Sequence, residues 1–287
     1  MKGKLYIVAT PIGNLGDMTG RAVEILQKCD IIAAEDTLNS MNLLNKFNIR
    51  AKLMSNHKFN EQASCDFLLC ELLSGKDIAV ISDAGTPCIS DPGTFLVRRA
   101  AENDITIEAV PGACAAAAAV SISGFEAKSF VFAGFFPREN GGIKKIIKKL
   151  QNNPGIYIFY ESPKRIIKTF EVFAEYLTDT QVCLCNDLTK KFERVYRGTP
   201  DKILRELNQN TAAEKGEYTV VLAVPDMPDK SEASAFSVFS IEAVLTDIMI
   251  KQNCTLKTAV RTAAAEYNLN KNEVYAASLN LKKFIRG

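Results

Sequence analysis

The chain opens on a continuous apolar run, Leu5-Tyr-Ile-Val-Ala9. A strand buried on both faces of a parallel sheet requires such a run. Runs of the same character recur at Ile31–Ala34, Asp77–Ser82 and Thr106–Val110. Between them the spacing predicts helices over Thr19–Cys29, Asn39–Asn48, Glu61–Leu73 and Thr94–Glu102. This alternation predicts an α/β domain with a mostly parallel sheet. An alanine-rich helix, Ala113–Val120, follows, and the pattern restarts after Ser123-Gly124. Strands are expected at Phe130–Ala133, Ile156–Tyr160, Gln181–Cys185, Glu193–Arg197 and Tyr218–Val224, with helices at Gly142–Leu150 and Arg165–Tyr176. The last three strands suit a more antiparallel second domain. Pro225–Phe239, rich in Pro, Asp and Ser, reads as a linker. Three short helical patterns follow: Ile241–Lys251, Lys257–Tyr267 and Lys271–Phe284, the last started by Asn270 with Glu273 three residues on. The expected organisation is therefore an α/β domain over residues 1–122, a second α/β domain over 123–226 and a helical accessory domain over 240–287.

Composition narrows the chemistry. A single histidine, His57, excludes any metal site needing two imidazoles, and a Ser-His-Asp device would have to run through it alone. With no nucleophile beside it in sequence, His57 reads as structural or substrate-contacting. The eight cysteines form no CxxC pair, so zinc ribbons and thioredoxin-type motifs lose support and free thiols in a reducing cytosol are expected. The N-terminus shows no secretory signal, and no apolar run approaches the ~20 residues that span a bilayer, so the expected setting is cytoplasmic. The net charge of +2 conceals an uneven distribution. Residues 1–110 carry a net −3, residues 138–202 a net +5, residues 203–250 a net −5 and residues 251–287 a net +5. Each basic block offers phosphate contacts, though such runs are also the solvated faces of ordinary helices.

The candidate chemistry lies just past predicted strands. Thr10-Pro-Ile-Gly-Asn-Leu-Gly-Asp17 has the P-x-G-x-x-G form, so Pro11 replaces the first glycine of a dinucleotide fingerprint, although Asp36 follows at the fingerprint's spacing. Ser82-Asp-Ala-Gly-Thr-Pro-Cys-Ile-Ser-Asp-Pro-Gly93 is costly for a mere connector, and close backbone approach to a ligand explains it better. Val110-Pro-Gly-Ala-Cys-Ala115 is a turn of small residues that leaves room for a flat ligand or for close helix–sheet packing. Phe159-Tyr-Glu-Ser-Pro163 delivers Glu161 to a strand end. Leu188-Thr-Lys-Lys-Phe-Glu-Arg-Val-Tyr-Arg197 interleaves basic and aromatic groups, as contacts to single-stranded RNA or an outward-facing edge strand both require.

Together with Ala34-Glu-Asp-Thr37 and Gly134-Phe-Phe-Pro137, these segments closely resemble the ribosomal RNA methyltransferases of the tetrapyrrole methylase-type superfamily. The motifs lie in order from residue 5 to about residue 224. The resemblance implies two α/β domains of that type, S-adenosylmethionine in the cleft between them, and methylation of a cytidine ribose 2′-hydroxyl in small-subunit (16S) ribosomal RNA. It implies a homodimer, a substrate that is free RNA or the 30S subunit, and neither metal nor membrane. By alignment with the family, Pro11, Ser82, Asp83, Ala84, Gly85 and Ala113, with Tyr160 and Leu188 from the second domain, form the cofactor pocket. Glu35, Asp36 and Glu161 are the candidate bases, Asn14 orients the ribose, and Lys190 and Arg194 meet phosphates. Two departures stand out: Leu38 follows Glu-Asp-Thr where the family usually has arginine, and Asn186-Asp187 replaces a commoner Arg-Glu pair. The alternatives are a methylase of the same fold acting on a tetrapyrrole or diphthamide precursor, and a non-catalytic RNA-binding assembly factor.

Overall fold

A computed structural model of the chain describes residues 1–58, 60–226, 240–266 and 271–285. It divides into two compact units, Met1–Pro225 and Asp226–Gly287. In the first unit the elements run β1 (Leu5–Val8), α1 (Gly20–Lys28), β2 (Ile31–Ala34), α2 (Thr37–Lys46), β3 (Lys52–Ser55), α3 (Glu61–Leu73), β4 (Ile78–Ile81), α4 (Thr94–Glu102), β5 (Ile107–Val110) and α5 (Ala115–Ser123). They continue with β6 (Phe130–Phe135), α6 (Asn140–Asn152), β7 (Gly155–Glu161), α7 (Ile166–Tyr176), β8 (Gln181–Asn186), β9 (Arg194–Gly198), α8 (Pro200–Gln209) and β10 (Tyr218–Val224).

The first sheet has the order β3-β2-β4-β1-β5 and every pairing in it is parallel. Its apolar runs serve two cores at once, because successive side chains point to opposite faces. Leu5, Ile31, Ala33, Ile78 and Val80 pack under α3 and α4, while Val8, Ile32, Ala34, Ala79 and Ile81 pack under α1 and α2. The second sheet has the order β6-β7-β10-β8-β9. Only β6 and β7 run parallel, and the remaining pairs are antiparallel as the sequence predicts. One of its faces packs on α6, α7 and α8 through Leu150, Phe170, Phe173, Ile203 and Leu207. The other packs on α5 through Ile158, Cys183, Cys185 and Val221 against Ala116 and Ala119, joined by Ile12 and Leu188 from two loops. The alanine run thus lies on the second sheet, where its short side chains let helix and sheet approach closely.

Two elements escape the sequence reading. β3 is an edge strand whose Lys52-Leu-Met-Ser55 has no run of buried apolar positions. α8 starts on Thr199, whose hydroxyl accepts from Lys202 N, with Pro200 next in the chain. This start signal is present in the sequence, but it follows immediately on a strand. α2 begins two residues earlier than its periodicity predicts because the Asp36 carboxylate accepts from Leu38 N at 2.8 Å and Asn39 N at 3.3 Å, satisfying its first amides. In the second unit α9 (Ile241–Lys251), α10 (Leu256–Glu266) and α11 (Lys271–Ile285) bury Leu245, Ile248, Ala259, Ala263, Val274 and Ala277 against one another. Tyr267, the Asn270 cap and residues 227–239 of the expected linker lie outside the described residues.

Ala119 is fully buried between α5 and the second sheet. Ala119→Leu is expected to destabilise the first unit by about 1–3 kcal/mol, as overpacking of a filled core does. A lower urea midpoint at unchanged m-value measures it.

Candidate active site

The site is built where the strands of the first sheet end. Loops leave the carboxyl ends of β1, β2, β4 and β5, the position at which open α/β sheets present ligand crevices. These loops are fastened to one another. Thr10 N donates to Gly85 O at 2.9 Å and Gly85 N returns a bond to Thr10 O at 3.1 Å. The Thr10 hydroxyl donates to Ser82 O at 3.1 Å, and Thr86 Oγ1 donates to Ala113 O at 3.0 Å. Asp36 N donates to Asp83 Oδ1 at 3.1 Å. Gly85 adopts φ +83°, and a Cβ there would lie 3.2 Å from Ile12 Cγ2 and 3.5 Å from Ala113 O, so the position favours glycine on both counts.

Across from these loops stand the ends of the second sheet. Asp187 and Thr189, on either side of Leu188, take positive φ values of 53° and 65°. The Thr189 hydroxyl is buried without a hydrogen-bond partner. A left-handed β-branched residue is strained, and such strain collects at ligand-binding loops. Lys190 follows, its ammonium held by Asp187 at 2.8 Å and Glu217 at 2.9 Å. Burial disfavours its charge, but the bonds to the two acids outweigh that and raise its pKa. Its stem also fills the space beside Gly13, where a Cβ would clash with Lys190 Cγ.

Between the two sets of loops is a cavity of about 560 Å³, within the size range of small-ligand sites. Among the expected residues, Glu35, Asp83, Ala84, Gly85, Tyr160, Glu161 and Leu188 line it. Pro11, Ser82 and Ala113 stand behind the lining: Ser82 and Pro11 are buried, and Ala113 is fixed through its carbonyl. Asn14 is exposed, and its Oδ1 accepts from Gly16 N at 2.9 Å. Asp36 caps α2. Glu161 is buried, with Ser162 N and Thr169 Oγ1 donating to it at 2.7 and 2.8 Å and the Arg165 guanidinium at 3.2 Å. Arg194 is exposed at the start of β9.

Every charged residue in the lining is acidic: Glu35, Asp83, Asp91, Glu161 and Glu217. Burial, then the negative charges of Asp91, Asp83 and Asp36, raise the Glu35 pKa. Burial also raises that of Asp91, opposed by a hydrogen bond from Ser82 and reinforced by Asp83. Burial pushes the Tyr160 phenol up to about 12, and its oxygen accepts from Ala116 N at 3.3 Å. A second cavity of about 690 Å³ adjoins the first and shares Glu35, Ser90 and Asp91 with it. It carries two cations, Lys58 and Arg98, and the Arg98 guanidinium lies 5.3 Å from the centre of the Phe95 ring. Asp91 at this junction is the residue that sequence reasoning missed. Its signal was present, since it ends the second Ser-Asp pair of the 82–93 loop. Among the described residues no group of three or more His, Cys, Asp or Glu is arranged to hold a metal ion, and no helix is long and apolar enough to cross a membrane.

This architecture has known counterparts. The profile of the tetrapyrrole (corrin/porphyrin) methylases matches residues 4–204. The ribosomal RNA small subunit methyltransferase I of Escherichia coli O157:H7 is 37% identical over 279 residues, covering 97% of this chain and 95% of its own. The protein of the same name from Synechocystis is 38% identical over 281 residues, covering 98% and 99%. Among solved structures, diphthine synthase superposes with a TM-score of 0.61 at 13% identity, over 77% of this chain and 90% of its own. Cobalt precorrin-4 methyltransferase does so with a TM-score of 0.57 at 19% identity, over 78% and 96%. These two likenesses concern the fold. With the match covering the first sheet and all of the second but β10, and the relatives spanning nearly the whole chain, the protein belongs to the tetrapyrrole methylase family.

Proposed function

We propose that this protein transfers a methyl group from S-adenosylmethionine to the ribose 2′-hydroxyl of a cytidine in small-subunit ribosomal RNA. The supporting observation is the meeting of two cavities at Glu35 and Asp91: the charged residues of the first are all acidic, and the second adds Lys58 and Arg98 beside Glu61. The names of the relatives supply the substrate class. The acidic lining fits a ligand carrying sulfonium and ammonium charges, and Leu188 and Tyr160 give apolar walls for an adenosine. When bound, S-adenosylmethionine supplies a methyl group made electrophilic by its sulfonium.

The chain's own contribution is alignment and proton handling. Ala84 and Gly85 present backbone to the donor, with Pro11, Ser82 and Ala113 holding them in place. Glu35 and Asp91 stand where the acceptor hydroxyl reaches the first cavity, and Glu35 takes its proton. The raised pKa of Glu35 makes it a better base than an exposed carboxylate. Glu161 shapes the wall through its three donors, and Asp36 holds Asp83 and α2 in register. Asn14 keeps its amide nitrogen to donate to the ribose. Phosphates fall to Arg194 and the neighbouring Lys191, because Lys190 is already engaged by two acids. We place the cofactor and active-site loops in residues 1–122, the cofactor and RNA contacts in 123–226 and the helical accessory domain in 240–287. We also infer a cytoplasmic homodimer, since Phe130, Val131 and Phe135 expose apolar surface along the edge strand β6.

Ribose methylation of small-subunit RNA, measured by mass spectrometry, is lost on deletion of the gene and restored by the wild-type protein; unchanged methylation in the deletion strain sinks the reading. Gly85→Ala weakens adenosylhomocysteine binding in calorimetry by about tenfold, as an L-residue strained at positive φ displaces the loop. Glu35→Gln lowers kcat by about 10²–10⁴. In the wild type, kcat/KM rises with pH through the Glu35 pKa, along a limb displaced above the ordinary carboxylate range. Stability has the opposite sign: ionised Glu35 is disfavoured by burial and like charges, so the fold loses stability as pH rises through that pKa. Glu35→Gln therefore raises Tm at neutral pH.

A further inference from the structure

α6 differs from α8 and α9 in how its surface charges are arranged. α8 pairs Asp201 with Arg205 at 2.8 Å and Lys202 with Glu206 at 3.9 Å, and α9 pairs Asp247 with Lys251 at 2.9 Å. α6, Asn140-Gly-Gly-Ile-Lys-Lys-Ile-Ile-Lys-Lys-Leu-Gln-Asn152, contains no acid at all. Lys144 and Lys148, like Lys145 and Lys149, stand four residues apart and repel each other. All four are exposed, and among the described residues none is paired with an acid. The opposite side of the helix is fixed by Ile143, Ile146, Ile147 and Leu150 in the core of the second sheet, so the lysines stand on one rigid ridge.

The ridge begins at the edge of the proposed active site. Phe135 and Pro163 line the first cavity, and Arg138 and Lys164 follow them closely in the chain. Arg165 Nη2 donates to Phe136 O and Pro137 O, each at 2.9 Å, which draws these two segments together. The two helices, α6 and α7, are tied again at their far ends, where the Gln151 amide donates to Tyr176 O at 2.9 Å. α7 contributes Lys168 in its first turn, while its acids Glu171 and Glu175 come later.

We propose that Lys144, Lys145, Lys148 and Lys149 of α6, continued by Arg138, Lys164 and Lys168, form a phosphate-binding track that holds the ribosomal RNA strand beyond the active site. This surface is separate from the loop at residues 188–197. The inference rests on the ribosomal RNA reading, which fixes the polyanion as RNA. Four fixed cations without counter-acids repel one another in the free protein, and phosphates relieve that repulsion while the lysines release counterions condensed on the RNA.

The test replaces Lys144, Lys145, Lys148 and Lys149 together with glutamine and measures filter binding of a small-subunit RNA fragment across a salt series. Calorimetry with adenosylhomocysteine reports whether the fold and the cofactor cavity are intact. The expected result is unchanged adenosylhomocysteine affinity, RNA affinity about tenfold or more weaker, and a slope of log K against log salt smaller by about 2–3. The corresponding quadruple arginine variant retains RNA binding. RNA binding and slope equal to wild type in the glutamine variant overturn the track alone. A wild-type protein that binds adenosylhomocysteine but no ribosomal RNA overturns the substrate reading together with the track. A glutamine variant that loses binding to anionic vesicles or polyglutamate while keeping RNA assigns the ridge to another partner and also overturns it.

Discussion

The reciprocal backbone pair between Thr10 and Gly85 is the constraint on which the site depends. It joins the loop after β1 to the loop after β4 by the same bonds that hold a sheet, but beyond the sheet's edge. Left alone, two loops at strand ends would each lose considerable conformational entropy on ordering. Paired, and bonded further through Thr10 to Ser82 and Thr86 to Ala113, they offer a ligand a preformed surface of backbone and small side chains. Everything placed on them inherits this rigidity, including the carboxylates of Asp83 and Asp91 on the second loop.

Much of this was legible in the sequence because it is written in local pattern. The two-sided strands of the first sheet are continuous apolar runs, and the 82–93 loop that lines the cavity is the one crowded with glycine, proline and Ser-Asp pairs. What escaped depends on partners distant in the chain. β3 is held by its pairing with β2 and has no periodic signal of its own. Lys190 looks like a free cation in a basic run, yet Glu217, 27 residues away, takes part of its charge. Glu161 looks like a carboxylate delivered to a cleft, and only the fold shows Thr169 and Arg165 converging on it. Asp91 was read as part of a ligand loop, but its burial beside Glu35 emerges only when the sheet brings residues 35 and 91 together.

Electrostatics organises the first unit. The cavity concentrates acids, as the proposed cationic methyl donor requires, and the outward surface of α6 concentrates cations, as the proposed polyanion requires. The near-zero total charge of the chain is the sum of these separated regions, which act on different ligands. A carboxylate base also needs this separation: lysines inside the cavity would stabilise ionised Glu35 and weaken it as a proton acceptor.

α5 shows how firmly the two halves depend on each other. Cys114, at its start, offers no side-chain cap, and Ala116 N instead finds the phenolic oxygen of Tyr160, 44 residues further along. Helix nucleation is unfavourable until a turn has its bonds. The first five strands and four helices have local connections and their own two cores, but α5 gains its missing acceptor from β7 and most of its packing surface from β7 and the segments after it. During synthesis the alanine segment therefore gains these partners only once β7 and the strands after it have been made, and the cavity that Cys114 and Ala115 line with Tyr160 and Leu188 needs both halves of the unit.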